Sequence, residues 1–394
     1  MTATETTAHQ LLEAVRALLP LVRDTADQAE RERRMPDTLG LALAEAGVFR
    51  MLAPRCVGGL ELDPIAAMDL IELLSRADGS AGWVAGINLS SSIVAGFLPP
   101  EAGRAIFGDD PHGAMAGTLA IPAGRAIPVD GGYRVSGRWP FASGCHNATW
   151  LACSAIVYDG DAPWLDADRL PVMRVVVFPR SETIIHDTWY PGGLRGTGSH
   201  DVEIRDLVVP QARTFWWDRP AHPGPLYRAR WYLMMHAAHA LGLARAAIDA
   251  LVDLAGRKVP TRSTSLLRDR PLAQMQLAQA EALVQSAHLL AWQTTARLWE
   301  QACAGQPLSI RDMATIRLAN TQAVTASAQA VDLMYSAAGG TAVYTTSPLE
   351  RIFRDIHAAT QHAMVAPQTY ELLGRVLLHP EPESLPRQPG PPLF

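Results

Sequence analysis

Tyr133-Arg134-Val135-Ser136-Gly137-Arg138-Trp139-Pro140-Phe141 reads as a short β-strand, aromatic and Val-bearing with turn residues at its ends, in a chain whose two flanks read as helix. Trp150 to Tyr158, Val172 to Phe178 and Asp201 to Val209 share that character, so residues 113–222 are expected to form a β domain. Before it, Leu11, Val15, Leu18 and Leu19, and later Ile65, Met68, Ile71 and Leu74, recur at the 3.6-residue period of a buried helix face. Asp63-Pro64 reads as a helix start, while Gly58-Gly59 and Pro99-Pro100 break the pattern, which gives a helical domain over 1–112. After Pro225 one helix is striped by Leu241, Ala244, Ile248, Leu251 and Ala255, and the next by Met275, Ala278, Ala282, Leu289, Trp292, Ala296 and Trp299. Two more helices follow, the last opening on Ser347-Pro348-Leu349-Glu350 as a capping box, so 223–378 reads as a four-helix bundle. The proline-rich stretch 379–394 reads as an extended arm or disordered tail. The expected class is α+β: an N-terminal α-helical domain, a middle β-barrel or sandwich, and a C-terminal four-helix bundle.

Composition narrows the chemistry. With 34 Lys+Arg against 39 Asp+Glu the chain is net −5, which argues against nucleic acid as a partner, since phosphate backbones call for a basic excess. Cys56, Cys145, Cys153 and Cys303 are too scattered to make a CxxC or Cys/His zinc site, so no metal is expected and reduced, cytoplasmic thiols are the simpler reading. The opening MTATETTAHQ lacks the basic and apolar regions of a signal peptide, and the most apolar window, Trp231 to Leu254, is interrupted by Arg245 and Asp249 and rich in His. Neither secretion nor a membrane partner is expected.

Three blocks carry chemistry. Gly137 to Gly144 runs from the strand into a loop, where an aromatic followed by a hydroxyl residue offers a flat wall and hydrogen bonds to a planar cofactor; a buried core Trp139 is the other reading. Pro191-Gly192-Gly193-Leu194-Arg195-Gly196-Thr197-Gly198-Ser199-His200-Asp201 has the glycine content of a phosphate loop, yet a strand follows where a dinucleotide loop needs a helix. Those glycines are therefore expected to make turns, with Thr197 or Ser199 as alternative site-lining residues. The third block runs from Ala337-Ala338-Gly339-Gly340-Thr341-Ala342 to Arg351-Ile352-Phe353-Arg354-Asp355-Ile356-His357-Ala358-Ala359-Thr360-Gln361-His362. Continued as one helix from Pro348, it puts Arg351, Asp355 and His362 within about 40° of one stripe and turns His357 away. His362 is then the better acid–base candidate, with a structural histidine beside an ion-pair stripe as the plainer reading.

In this order and spacing the blocks resemble the acyl-CoA dehydrogenase superfamily from about residue 10 to 378. Trp139 to Gly144 is similar to its flavin-facing Trp-x-x-Ser/Thr loop, and Leu194 to Ser199 with Val208-Val209-Pro210 to the turn and strand that lead into its bundle. Dehydrogenases of that superfamily carry a glutamate base in a Tyr-Glu-Gly-Thr loop, which is missing here; Arg354-Asp355 through Gln361-His362 resembles instead the two-component monooxygenase branch. The resemblance implies reduced FMN or FAD as cosubstrate, delivered by a separate NAD(P)H:flavin reductase through free diffusion. It implies O2, a flavin C4a-hydroperoxide and oxygenation of a small aromatic or hydrophobic substrate by a homotetramer.

It also implies roles. Ser143 would hydrogen-bond flavin N5, Thr118 would place a second hydroxyl near the site, and Trp139, Phe141 and Ala142 would border the ring. His362 would be the base or hydrogen-bonding group at the substrate. Arg262, Gly339 and Gly340 would hold the flavin phosphate. Trp83, Asn88 and Ser92 would line the substrate side, where relatives carry a further His and this chain offers Asn88, Ser90, Ser91 and Ser92. Two alternatives stay open at this level: a dehydrogenase acting on an acyl thioester with a relocated base, and a flavin-binding homologue without catalysis.

Overall fold

Asp63 accepts the backbone N–H of Ala66 at 2.8 Å and Pro64 fills the first helical position, so a helix starts where the sequence placed one. The computed structural model describes residues 3–108, 110–217, 219–228 and 234–382. Its N-terminal part contains α1 (Ala3–Glu32), α2 (Asp37–Glu45), α3 (Pro64–Ala77), α4 (Gly79–Ser91) and α5 (Pro100–Phe107). Asp78 ends α3 and caps α4 in one residue, its carboxylate accepting from Ala81 N at 2.8 Å. Helix α4 has no charged residue and is buried on every side except at Ile87, the behaviour of a helix that is apolar all round.

The middle strands are β1 (Met115–Thr118), β2 (Gly124–Val129), β3 (Gly132–Trp139), β4 (Trp150–Asp159), β5 (Ala162–Pro163), β6 (Met173–Pro179), β7 (Ile184–His186), β8 (Asp201–Pro210) and β9 (Thr214–Phe215). They form one mixed sheet in the order β7-β8-β3-β2-β4-β6-β9, with β1 parallel and β5 antiparallel to β4. Trp139 of β3, Phe178 of β6, and Val202 and Ile204 of β8 share one buried cluster, so the expected barrel or sandwich is a single sheet curled round its own core. Gly124 and Gly137 pair across β2 and β3, and a Cβ on either would meet the Trp139 indole within 3 Å. Trp139 is fully buried there and donates its indole N–H to the Ser154 carbonyl at 2.7 Å. It is a core residue, and its faces are filled by protein.

The C-terminal part is α6 (Met235–Ala255), α7 (Pro271–Cys303), α8 (Ile310–Ala338), α9 (Pro348–Ala359) and α10 (Gln368–Leu378). A fifth helix therefore follows the four expected ones. Helix α9 stops because Thr360 turns its hydroxyl back to the His357 carbonyl at 2.7 Å, and a run of turns carries the chain to α10. The capping box expected at Ser347 is not formed: the Ser347 side chain makes no cap, and Glu350 instead binds Arg354 at 2.7 and 2.9 Å. A complete box does form at Ser309 and Asp312, which start α8. Gly242 lets α6 lie against α3, since a Cβ there would meet the Glu72 carbonyl at 2.5 Å. Of the proline-rich tail, residues 383–394 lie outside the described residues. No helix among the described residues is long and apolar enough to cross a membrane, and no group of His, Cys, Asp and Glu among them is arranged to hold a metal.

Candidate active site

Helix α4, the first turn of α6, the loop after β3 and the turn after α9 meet around Trp83. The Trp83 indole N–H donates to Ser143 Oγ at 3.1 Å, and its ring meets His239, His236 and His362 edge-on at centroid distances of 5.0, 5.5 and 5.7 Å. The Ser143 loop is laced to the glycine-rich segment: Ala142 N donates to the His200 carbonyl at 3.1 Å and Gly144 N to the Thr197 carbonyl at 2.9 Å. Gly144 has φ of +71°, and a Cβ there would meet Asn88 Nδ2 at 2.6 Å, so only glycine passes this junction without strain. Thr118 donates to the Pro140 carbonyl at 2.9 Å and so anchors the same loop on β1.

Phe141 takes a left-handed backbone with φ of +62° and is 60% exposed beside Trp189, presenting an aromatic face at the rim. Asn88 is fully buried; its amide nitrogen binds the Val84 carbonyl at 3.1 Å and its Oδ1 has no protein donor. Ser92 does not line the site, because its hydroxyl donates to the Leu89 carbonyl at 2.6 Å and accepts from Leu52 N at 3.1 Å.

The expected stripe of Arg351, Asp355 and His362 is not a stripe, since His362 lies beyond the end of α9. Asp355 accepts the Leu194 backbone N–H at 2.6 Å, and Arg351 pairs with Asp27. Both hold α9 to its neighbours, and neither sets the His362 tautomer. His357 pairs with Asp332 at 2.9 Å, away from Trp83 as its helical phase implied. His362 nevertheless reaches the site through the turn, its imidazole centroid 4.3 Å from that of His236. Its Nδ1 accepts the Met364 N–H at 3.3 Å, so the neutral ring carries its proton on Nε2.

Burial chiefly, then His236 and Arg317, hold the His362 imidazole well below the ordinary histidine range. Burial likewise pushes His239 down to about 4; its Nε2 donates to the Gly79 carbonyl at 2.9 Å, and its Nδ1 is a buried acceptor with no protein donor. At neutral pH these two rings are uncharged. His236 and His239 are the residues the sequence reading missed. Their signal was present as an i, i+3 pair in a His-rich apolar window, which places both on one helix face.

Arg262, Gly339 and Gly340 belong to a different corner, on the α6–α7 loop and at the end of α8. Arg262 and Gly339 both have positive φ, at +61° and +58°. Lys258, another residue not singled out from sequence, donates there to the Ala338 carbonyl at 2.5 Å and to Thr341 Oγ1 at 2.7 Å.

These groups fit a flavin. Asn88 Oδ1 and His239 Nδ1 are orphaned acceptors near a hydroxyl loop with an exposed aromatic face, and Lys258 stands at the Gly339-Gly340 turn in a separate corner. Helices, a curled sheet and a bundle meeting at such a site define an acyl-CoA dehydrogenase-like flavoprotein. The family models for the acyl-CoA dehydrogenase N-terminal domain and C-terminal domain match residues 5–98 and 234–367. The indole-3-acetate monooxygenase of Pseudomonas putida is 36% identical over 375 residues, covering 94% of each chain. The flavin-dependent monooxygenase oxygenase subunit HsaA of Mycobacterium tuberculosis is 30% identical over 382 residues, covering 93% of this chain and 95% of that one. The structure of XiaF from a Streptomyces species, in complex with FADH2 and glycerol, superposes with a TM-score of 0.87 at 27% identity over 97% of this chain and 98% of that one. The chain belongs to the acyl-CoA dehydrogenase-like family, in its branch of flavin-dependent monooxygenases.

Proposed function

We propose that this chain is the oxygenase component of a two-component system and hydroxylates a small aromatic compound at the Trp83 site. The observation that carries the substrate class is the enclosure of the Trp83 indole by three imidazoles at 5.0 to 5.7 Å. An indole edged by imidazole rings suits a flat aromatic ring better than an acyl thioester. The indole-3-acetate and HsaA relatives support the same class. A reduced FMN or FAD bound there would supply the two electrons with which one atom of O2 enters the substrate and the other leaves as water.

The protein's part is placement. Ser143, pinned by Trp83 and by Thr118 through the loop, meets the flavin ring at N5. Phe141 and Ala142 border the ring. His362 offers its Nε2–H to an oxygen of the substrate; with Nδ1 already engaged by Met364 N, it orients the substrate instead of taking its proton. Lys258, Arg262 and the Gly339-Gly340 turn hold the phosphate end. The exposed apolar residues Leu272, Met275 and Leu289 on α7 support assembly as a homotetramer, and the four free thiols support a cytoplasmic setting. An NAD(P)H:flavin reductase supplies the flavin by diffusion.

The test is turnover of reduced flavin under ¹⁸O2 with a panel of indoles and phenols, the reductase being held behind a dialysis membrane. Expected is one labelled oxygen in an aromatic product. Absence of label from every aromatic, together with anaerobic flavin reduction by an acyl-CoA, would restore the dehydrogenase reading.

A further inference from the structure

Four hydrogen bonds run in series through the site, and the chemistry of their ends sets the direction of every proton. The Leu194 carbonyl can only accept, so the Thr197 hydroxyl donates to it at 2.8 Å. Thr197 has then used its one proton, and its 2.6 Å contact with Ser199 must be a donation from Ser199. Ser199 is spent in turn, so the 2.7 Å contact between Ser199 and Ser143 is a donation from Ser143. At the near end the Trp83 indole N–H, which can only donate, gives its proton to Ser143 at 3.1 Å. Ser143 is left with no proton to offer and with one lone pair free.

Water does not scramble this order. Thr197, Ser199, Ser143 and Trp83 are 1%, 4%, 5% and 6% exposed. The far end is held as well: the Leu194 carbonyl also accepts the Trp189 indole N–H at 3.1 Å, and Leu194 N is bound by Asp355 at 2.6 Å. Bonds aligned head to tail polarise one another, so reversing one hydroxyl means reversing all three.

We propose that the Thr197–Ser199–Ser143 relay makes Ser143 a pure acceptor and thereby selects reduced over oxidised flavin. A reduced flavin carries hydrogen on N5 and can donate to Ser143. An oxidised flavin has a bare N5, whose lone pair would face that of Ser143. An oxygenase that takes flavin in one redox state and releases it in the other needs such a bias. The inference rests on the placement of Ser143 at N5 and names Thr197 and Ser199 as positioning residues that act through it.

The experiment is equilibrium binding: dissociation constants for reduced flavin under anaerobic conditions and for oxidised flavin, measured on the full-length protein and its variants. Thr197→Val removes the terminal acceptor, so Ser199 can donate back to Ser143 and Ser143 can donate outward. Oxidised flavin is then expected to bind about tenfold more tightly while reduced flavin changes little, the size of one hydrogen bond gained. Thr197→Ser restores the relay and the wild-type ratio. Ser199→Ala should also lower the reduced-to-oxidised preference, and adding it to Ser143→Ala should change nothing further. Should Ser143→Ala leave both constants at wild type, Ser143 is not at the ring, and placement and relay fall together. Should Ser143→Ala shift the ratio while Thr197→Val and Ser199→Ala do not, the relay alone is wrong.

Discussion

The imidazoles of His236 and His362 lie with centroids 4.3 Å apart, one from the first turn of α6 and the other from the turn beyond α9. Each brings a potential positive charge into a buried space, and the desolvated His362 stays neutral as a result. The pH profile of kcat/KM should therefore show no limb from His362 near pH 6.5, the ordinary histidine value. His362→Ala removes one hydrogen-bond donor to the substrate and should lower product formation by about 10- to 100-fold with reduced-flavin affinity retained. His362→Gln keeps an N–H donor and should recover part of that loss. Equal activities for the Ala and Gln variants would remove the donor role.

Ser143→Ala takes away the group facing N5 and should raise hydrogen peroxide released per flavin oxidised by about three- to tenfold, the worth of roughly one hydrogen bond. Peroxide and product are quantified in the same reaction. Unchanged coupling would show that Ser143 serves only to hold Trp83.

Asp355 is buried with Asp78 nearby, and its pKa is pushed up to about 8, first by desolvation and then by that second carboxylate. A carboxyl raised in the folded state binds more protons there than in the unfolded chain, so stability is full below the unfolded value of 3.8 and falls as pH rises toward 8. Asp355→Asn retains the oxygen that accepts from Leu194 and cannot ionise. It should flatten the fall in stability between pH 5 and 8, gaining on the order of 4 kcal/mol at the upper end. Denaturant titrations at the two pH values measure it, and parallel curves for variant and wild type would contradict the burial argument.

Lys258→Met keeps most of the stem packing but loses the charge beside Gly339. Reduced-flavin affinity is expected to fall about tenfold or more, with Arg262→Ala acting in the same direction, as for charge-assisted bonds to a phosphate. Anaerobic titration reads this directly. An unchanged constant for Lys258→Met would confine Lys258 to capping α8.

The legible part of this protein was whatever depends on neighbours in the chain. Periodicity located the helices and strands, Asp63-Pro64 marked a true helix start, and Trp139 to Gly144 with the missing Glu-Gly-Thr base pointed to the oxygenase branch of the family. Local rules failed where a competing partner lay close by. Glu350 chose Arg354 over the Ser347 cap, and Thr360 ended the helix that was to carry His362.

The site itself was decided by distance in space. His236, His239 and His362 converge on one indole, Thr197 lines up behind Ser143, and Asp355 clamps Leu194 through contacts between residues far apart in sequence. Period and propensity report which face of an element is apolar, but they carry no information about which other element will cover it. Only packing determines that, and with it which lone pair Ser143 has left to offer.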